Sequence, residues 1–499
     1  MSSVPLIGHQ RLFMPLPAPR VSRRLGALLL VATLAALGGC AADPSLGPTE
    51  TVPKPQELAA KYRLTGTTDE AAAHPSSRWW ASFNDPELTR WIEKGFADSP
   101  DLRVAAARVA QAQAFLDSAR AAQAPTLGFA ADADSQRISD YGIFPPPLAG
   151  MVGTLKDVGL SGSLELDIFG RLAARTDAAR LQALAGMDDR EQARIRIAGA
   201  IAHAYFELAR AQQTRRVLVE LEQSREKMLD LVRQRVSGGF DTQVDRRLAE
   251  IPVPEIKVDI ERASEQIELA RHSLAVLAGQ APQAAADVEA KLPDGNVLAA
   301  PTALPMDLLA RRADVAAAQA RVQAALRGVE AARADFYPNV NLTALVGLDS
   351  VATQSLFKWG ARVWQLEPAI HLPLFDGGML RANLRGASAE ADQAIDAYNS
   401  SVLQAASEVA DALTSLAYVQ RQREQQDAAT KSAQAASDLA DIRYEAGLGN
   451  LLAVLTAQAS VLTQRRAEVD LQARSAALNV SLALALGGGY APEGQAARE

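Results

Sequence analysis

The chain has 499 residues, a formal net charge of -7 and few aromatic residues, 5% of the total. Acidic and basic residues are interspersed along it, which excludes the basic surface that nucleic-acid binding requires. Its one cysteine, Cys40, excludes an intrachain disulfide and a cysteine-based structural zinc site. Abundant alanine with scarce aromatic residues favours long, closely packed helices.

Residues 1–39 have the pattern of a lipoprotein signal peptide. Three arginines between residues 20 and 24 precede an apolar run, Leu25 to Leu37, that is too short to span a bilayer. The run ends in Leu37-Gly38-Gly39-Cys40, which looks like a bacterial lipobox. We expect cleavage before Cys40, with an N-acyl group and an S-diacylglycerol on that residue. The alternative is an incidental cysteine within a cleaved signal.

Residues 40–84 are predicted to form a lipidated N-terminal tether. The stretch from Asp43 to Pro55 is polar and rich in proline, a composition typical of an extended spacer. We therefore expect it to separate the lipid anchor from the folded body.

The rest of the chain contains the same architecture twice, in residues 85–290 and 291–490, followed by a tail at 491–499. Arg108-Val109 and Pro125 recur as Arg321-Val322 and Pro338, in both cases 213 residues later. A repeat of this length exceeds the ~20–50-residue units of solenoids, so each copy contains several elements. The duplication predicts one pseudo-symmetric body.

Each copy contains two predicted strands with apolar residues at alternate positions. They are expected at about 126–136 and 158–169, and at about 339–348 and 361–375. This period is typical of strands with one apolar face, including membrane-barrel strands. Four strands cannot close a membrane barrel, because such barrels begin at about eight strands and open edges leave unpaired backbone groups in lipid. The strands therefore belong either to a barrel shared by several chains or to a soluble sandwich.

A long proline-free helix is expected after each strand pair, at about 171–237 and 378–446. The first would be about 100 Å long at ~1.5 Å per residue. Between Arg421 and Asp438 the second is polar nearly all round, so water must reach more than one of its faces. A hollow tube and a solvated coiled-coil stalk both satisfy this requirement.

Each long helix is predicted to end at a glycine turn and to return as a second helix, which makes two helical hairpins. The returning helices are expected from about Thr242 to Ala278 and from Asn450 to Leu486, the first with a kink at Pro252-Val253-Pro254. Glycine at such ends is typical of left-handed helix caps. The turn residues are Gly238, Gly239, Gly447 and Gly449.

Together these segments resemble the TolC-type outer-membrane factor family, specifically the NodT-like lipoproteins of RND (resistance-nodulation-division) efflux systems. The motifs are weak singly, but their order and duplication are specific, and they cover nearly the whole mature chain. In chain order they are Trp79-Trp80, Phe83 to Leu88, Asp101-Leu102, Leu166 to Arg171, Leu372 to Gly378, Arg443 to Gly447 and Leu484 to Gly489.

The resemblance implies a mainly α protein with a membrane β-barrel, in which a homotrimer forms a 12-stranded β-barrel and a 12-helix α-barrel. It also implies a middle girdle, built from Asp85 to Asp98, a connector from Gln280 to about Leu304, and the C-terminal tail. The expected location is the cell outer membrane, in contact with outer membrane lipid, with a periplasmic extension.

By the same resemblance, the function is passive conduction of drugs or other small molecules to the outside. The expected partners are a periplasmic adaptor (membrane fusion) protein and an inner-membrane RND pump. No cofactor is implied beyond the lipid on Cys40. The exit duct of a type I protein secretion system and a non-pore periplasmic coiled-coil lipoprotein are the alternatives.

The resemblance also places a periplasmic aperture just past the Gly447 turn. The family's aperture positions fall on Leu452, Ala453 and Thr456, so an apolar ring is retained and the aspartates often found there are missing. Asp241 and Asp245, just after the first turn, are candidates for acidic rings instead; the alternative is that they are solvated charges at the hairpin tip.

Motifs for catalysis are missing from the sequence. His203 and Glu207 lie four residues apart on one predicted helix face, but a lone pair of this kind is usually a surface contact. His-Glu-x-x-His, the Walker loop and Gly-x-Ser-x-Gly do not occur. The sequence therefore predicts neither a metal site nor an enzyme.

Overall fold

The structure, a computed structural model, describes residues 47–52, 75–293, 295 and 311–491. The predicted signal peptide, Cys40, most of the predicted tether, much of the connector and residues 492–499 lie outside these ranges. Within them both repeats contain a 22-residue helix, two strands, a 67-residue helix and a returning helical segment, in that order.

A 3-10 helix at Trp79–Phe83 precedes the first repeat; its aromatic side chains are buried, so this part of the predicted tether belongs to the folded body. The first repeat follows. Its helices and strands are α1 (Pro86–Asp98), α2 (Pro100–Ala121), β1 (Thr126–Arg137), β2 (Val152–Leu166), α3 (Arg171–Ser237), α4 (Gln243–Glu250) and α5 (Pro252–Leu277). The second repeat contains α6 (Ala313–Ala334), β3 (Asn339–Ser350), β4 (Arg362–His371), α7 (Met379–Glu445) and α8 (Leu451–Ala485). Helices α2 and α6 both have 22 residues, and α3 and α7 both have 67, so the duplication preserves the lengths of these helices.

The four strands form one antiparallel sheet in the order β1-β2-β3-β4. Pairing between β2 and β3 joins the repeats, with Leu160 opposite Val346. This is a single layer, not the two-layer sandwich that the sequence left open. Large apolar side chains are exposed on the two outer strands, including Phe129 on β1 and Trp364 on β4. Within the chain, β1 and β4 each have only one neighbouring strand.

Strand β2 differs from the sequence prediction at both ends. Strand β2 begins six residues earlier than expected, because Val152 to Asp157 pair with Asp132 to Arg137 despite weak alternation. It ends at Leu166 because Asp167 turns away and accepts hydrogen bonds from the backbone of Leu172 and Ala173, at the start of α3.

Strand β4 ends at His371 and not near residue 375. The ladder stops there because His371 pairs with Asn339, the first residue of β3. Asp376 then caps the start of α7, accepting from the backbone nitrogens of Gly378 (2.9 Å) and Leu380 (2.6 Å). An aspartate thus caps each long helix where it leaves the sheet.

The largest apolar cluster surrounds the middle of α3. Trp79, Trp80 and Trp91 pack there with residues of α3 and α8. Asp85 caps α1 by accepting from the backbone nitrogens of Glu87 (2.9 Å) and Leu88 (3.2 Å), and Tyr205 of α3 donates its hydroxyl to the same carboxylate at 2.6 Å. This cluster ties the predicted girdle to the long helices.

The long helices form two hairpins. The first hairpin is α3 with α4 and α5, and the second is α7 with α8. The return of the first hairpin is divided between Glu250 and Pro252, where the prolines predict a kink, and Arg225 of α3 donates to the Pro252 carbonyl at 2.8 Å. Among the described helices, none is both long and apolar enough to cross a membrane.

Candidate functional site at the hairpin tips

Both long helices end in the same backbone motif. The amide of Phe240 donates to the carbonyl of Arg235 at 2.9 Å, and the amide of Leu448 donates to that of Arg443 at 2.8 Å. Gly239 and Gly447 are the left-handed residues of these turns, with φ values of 74° and 75°. A non-glycine residue there would be strained, so glycine fixes where each hairpin reverses.

The remaining two turn glycines have other roles. Gly238 is the helical C-cap residue, with a φ of -79°, and is not left-handed. A Cβ at Gly449 would lie 3.2 Å from the backbone nitrogen of Tyr444, so close backbone packing favours glycine at that position.

The two hairpin tips are joined by a network of three side chains, Arg235, Asp241 and Tyr444. Arg235 donates from Nε to Asp241 Oδ2 at 2.9 Å and from Nη2 to Oδ1 at 3.3 Å. The Tyr444 hydroxyl donates to Asp241 Oδ2, and Arg235 Nη1 donates to the Tyr444 carbonyl at 3.3 Å. The Arg235 guanidinium lies 4.7 Å from the centre of the Tyr444 ring. The network links the second hairpin to the first.

The burial of Tyr444 explains why its hydroxyl is bonded to Asp241. Tyr444 is 2% exposed and packs in an apolar cluster with Leu229, Val232 and Val454 from both hairpins. Its hydroxyl needs a partner in such surroundings, and Asp241 provides one. Burial and the bond to Asp241 raise the pKa of Tyr444, while the hydrogen bonds from Arg235 lead in lowering the pKa of Asp241.

Asp241 is therefore bound within the chain and is not the solvated tip charge that the sequence left open. Asp245 is also bound, in a capping box at the start of α4. Its carboxylate accepts from the Thr242 backbone nitrogen at 2.9 Å, and its own backbone nitrogen donates to Thr242 Oγ1 at 3.2 Å. Both carboxylates thus have local structural partners.

The predicted aperture positions on α8 lie on its uncovered side. Leu452 is 65% exposed, and Ala453 and Thr456 are exposed beside it. Their neighbours Leu451 and Val454 are buried against the first hairpin. Thr456 donates its hydroxyl to the Leu452 carbonyl at 2.8 Å. In the single chain these three positions are free to face a pore or another copy.

A second contact involves the N-terminal segment. Thr49 donates to Asp392 of α7 from its backbone nitrogen (3.3 Å) and hydroxyl (2.8 Å), and the Glu50 nitrogen donates at 2.9 Å. These hydrogen bonds lower the pKa of Asp392. Part of the segment predicted to be a free spacer is therefore fixed to a helix. Nine residues separate Thr49 from Cys40, and they span at most about 30 Å.

The pair of His203 and Glu207, which the sequence places on one helix face, is not part of a larger group of metal-ligating side chains among the described residues. Glu207 accepts from Arg210 Nε at 3.0 Å, and burial lowers the pKa of His203. In the described part of the chain, no group of three or more His, Cys, Asp or Glu side chains is placed to hold a metal ion.

Sequence reasoning missed Arg235 and Tyr444 as partners of Asp241. A signal was present, because the segments Arg235 to Gly239 and Arg443 to Gly447 match, yet the second carries a tyrosine where the first has Val236. A bulky hydroxyl-bearing residue in one copy alone indicates a contact between the hairpins.

The sequence matches the family described as outer membrane efflux protein over residues 91–280 and 304–488. It is 30% identical over 485 residues to the multidrug resistance outer membrane protein MdtP of Escherichia coli K12, covering 94% of this chain and 98% of that protein. It is 32% identical over 428 residues to the pyoverdine export outer membrane protein OpmQ of Pseudomonas putida, covering 85% of this chain and 90% of that protein.

The fold is also that of a solved outer membrane channel. The crystal structure of the outer membrane protein VceC from Vibrio cholerae superposes with a TM-score of 0.79 at 33% identity, covering 84% of this chain and 100% of that one. This agreement confirms the TolC-like fold class that the resemblance implied.

Proposed function

Because this chain belongs to the outer membrane efflux protein family, we propose that it forms the exit duct of a tripartite RND-type system that exports small molecules. It is an outer membrane efflux protein with a TolC-like channel fold, and not an enzyme. One observation carries the proposal. A single-layer sheet, whose outer strands β1 and β4 have exposed apolar residues and no second neighbouring strand, leads directly into two 67-residue helices.

Three copies complete what one chain leaves open. Strand β4 of one copy pairs with β1 of the next, which gives twelve strands and no free edge in lipid. The long helices and their shorter partners continue the same ring below the membrane. A homotrimer is supported because closed symmetry satisfies both edges with one repeated contact.

The partners act at the hairpin tips. A periplasmic adaptor contacts the ends of the hairpins and joins the duct to an inner-membrane RND pump. The pump selects the substrate, and the duct conducts it passively. The relatives' names cover multidrug resistance and pyoverdine export, which supports a small-molecule cargo and leaves its identity to the pump.

Lipidation of Cys40 anchors the N-terminus in the outer membrane. The bonds of Thr49 and Glu50 to Asp392 support this, since they hold the N-terminal segment on the helix that descends from the sheet. The contact lies 13 residues from the start of α7, about 20 Å at ~1.5 Å per residue, within reach of nine extended residues.

Conductance of the purified protein in a planar lipid bilayer tests the duct. We expect channel events, more frequent after the tip network is broken by Asp241→Asn. If neither the wild type nor Asp241→Asn gave channel events, although light scattering showed trimers, the proposal of a conducting duct would be refuted. Mass spectrometry of the mature N-terminus tests the anchor, and Cys40→Ser should lose the lipid mass while trimers persist.

A further inference from the structure

The two faces of the β-sheet differ completely in charge. Successive side chains of a strand point to opposite faces, so the pairing register assigns every strand residue to one of them. One face, which we call the apolar face, is defined by a row of directly opposite residues, namely Phe129, Leu160, Val346 and Trp364.

Acidic and basic residues of the described strands are separated onto these faces. The side opposite the apolar face carries all of the strand carboxylates, which are Asp132, Asp134, Asp157, Glu165, Asp349 and Glu367. The apolar face carries all of the strand arginines and lysines, which are Arg137, Lys156 and Arg362. A face that is apolar and purely cationic fits an apolar partner with negative charge.

The three cations lie towards the loop end of the sheet, away from the helices. From the row of Trp364 to the row of Ile370, the paired residues of the apolar face are all apolar or glycine. Arg362 precedes Ile370 by eight residues, about 27 Å at ~3.4 Å per residue, or about 20 Å along the membrane normal for a strand tilt of ~40°. Its long side chain adds the few ångströms that reach the edge of an apolar band about 25 Å tall.

Two of the three cations have no carboxylate partner among the described residues. Arg137 is bonded to Asp140, with Nη2 2.7 Å from Oδ2. Lys156 donates to the Val351 carbonyl at 3.5 Å, and the Arg362 guanidinium lies over the ring of Trp359. The positive charges of Lys156 and Arg362 are therefore uncompensated within the described part of the chain.

Lys156 and Arg362 are close enough to hold one anionic group together. Lys156 pairs with Ser350 and Arg362 with Leu348, so the two cations are separated by one strand and by two residues along it. Strand spacing of ~4.8 Å and a rise of ~3.4 Å place their Cα atoms about 12 Å apart. Both side chains have long flexible stems, so their charged ends can converge over β3.

We propose that Lys156 and Arg362 bind the phosphate of an anionic lipid in the outer leaflet of the membrane. A guanidinium binds phosphate through two parallel hydrogen bonds, and an ammonium adds a compact positive charge. Trp359, which is 77% exposed, lies at the headgroup level, where indole rings are enriched. The acyl chains of the same lipid then lie against Trp364 and Leu366 of the apolar face.

This inference rests on the proposed function, because the duct places the helices in the periplasm and the loop end of the sheet at the outer leaflet. A lipid is favoured over a soluble anion since the two cations border directly on exposed apolar side chains. One molecule satisfies both surfaces. Both cations belong to one chain, so each copy in a trimer offers one site.

Lipid binding to purified trimers in detergent tests the site. The probe is diphosphoryl lipid A, and native mass spectrometry counts the bound molecules during a titration. We expect three tightly bound molecules per trimer. The double variant Lys156→Ala/Arg362→Ala should lower the association constant about thirtyfold, or about fivefold for each cation removed. Arg137→Ala is the matched control and should bind like the wild type, because Arg137 is already bonded to Asp140.

Two further probes identify the source of the phosphate. Lipid A without its phosphates keeps the acyl chains and should bind the wild type as weakly as diphosphoryl lipid A binds the double variant. Equal affinity for both forms of lipid A would show that the apolar face alone holds the lipid, which would overturn the proposal. Displacement of lipid A by millimolar inorganic phosphate would identify a site for free anions and would overturn it as well.

Charge-conserving variants separate the role of charge from that of side-chain shape. Lys156→Arg/Arg362→Lys should keep most of the affinity, whereas Lys156→Glu/Arg362→Glu should bind more weakly than the alanine pair. The same affinity in the glutamate pair and the wild type would contradict the site.

Failure of this site is distinguishable from failure of the duct. Trimers that conduct in planar bilayers but bind both forms of lipid A equally refute the site and leave the proposed function standing. Trimers that neither conduct nor retain any lipid refute the membrane duct, and the lipid site with it.

Discussion

The Tyr444 hydroxyl donates a hydrogen bond to the Asp241 carboxylate, across 203 residues of sequence and from one hairpin to the other. Arg235 holds the same carboxylate from the opposite side. We therefore expect this network to oppose any separation of the two hairpins at their tips.

Breaking the network should make the duct leak. Asp241→Asn and Tyr444→Phe each remove a charge-assisted hydrogen bond worth about 1.5–3 kcal/mol, which predicts an open probability about tenfold higher. Single-channel recording in planar bilayers measures this. Asp230→Asn is the control, since Asp230 is bonded to Arg233 within the same helix. Equal activity of all three variants and the wild type would show that the network does not restrain opening.

The network should be insensitive to pH near neutrality. Hydrogen bonds from Arg235 place the pKa of Asp241 below its ordinary value. Its stabilising contribution is therefore complete above the unfolded pKa and is lost as the pH falls through the lower, folded pKa. Leak should stay constant between about pH 5 and 8 and rise below about pH 4. A leak that grows on going from pH 8 to 5 would contradict this assignment.

The Asp245 carboxylate should matter for folding of the tip and not for ion selectivity. Thr242→Ala or Asp245→Ala breaks the capping box and should cost about 1 kcal/mol of local stability in α4. Hydrogen exchange of the α4 amides measures that loss, and reversal potentials measure selectivity. Gln243→Ala, at an exposed neighbouring position, is the control. A loss of cation selectivity with unchanged exchange would restore the acidic-ring hypothesis for Asp245.

The aperture positions on α8 should set the conductance. Leu452→Ala removes an exposed apolar side chain and should increase the conductance. Thr456→Asp should introduce cation selectivity, because the proposed trimer would then have three carboxylates around one opening. Thr463→Asp is the matched control, because Thr463 makes the same hydroxyl-to-carbonyl bond, to Ala459, about 10 Å further from the tip. Equal effects of the two aspartates would place the constriction elsewhere.

The N-terminal segment should be released by loss of one carboxylate. Asp392→Ala removes three hydrogen-bond acceptor contacts to Thr49 and Glu50. Proteolysis near residue 50 should then become faster, while Asp396→Ala, one turn further along α7, should leave the rate unchanged. An identical rate in both variants would mean that the segment is held by other contacts.

Much of the fold could be predicted because it follows from local patterns. The long helix at Arg171–Ser237 was predicted with its observed ends, because the segment contains no proline and glycines follow it at the turn. Strand β2 was less well predicted, because Lys156 and Asp157 interrupt the alternation and only pairing with β1 makes that stretch a strand. The alternation of apolar and polar residues within one segment does not show which other strand it pairs with.

The duplication, the lengths of the hairpins and the positions of their turns follow from the sequence, since helix periodicity, proline and glycine act over a few residues. The hydrogen-bond partners of the tip carboxylates become visible in the folded chain alone. Asp241 is held by Arg235 and Tyr444, and Asp245 by Thr242, because the packing of two hairpins brings one tyrosine and one aspartate together across the chain. The same packing covers α6 and leaves α2 exposed, a difference that the equal length and shared Arg-Val motif of the two helices do not reveal.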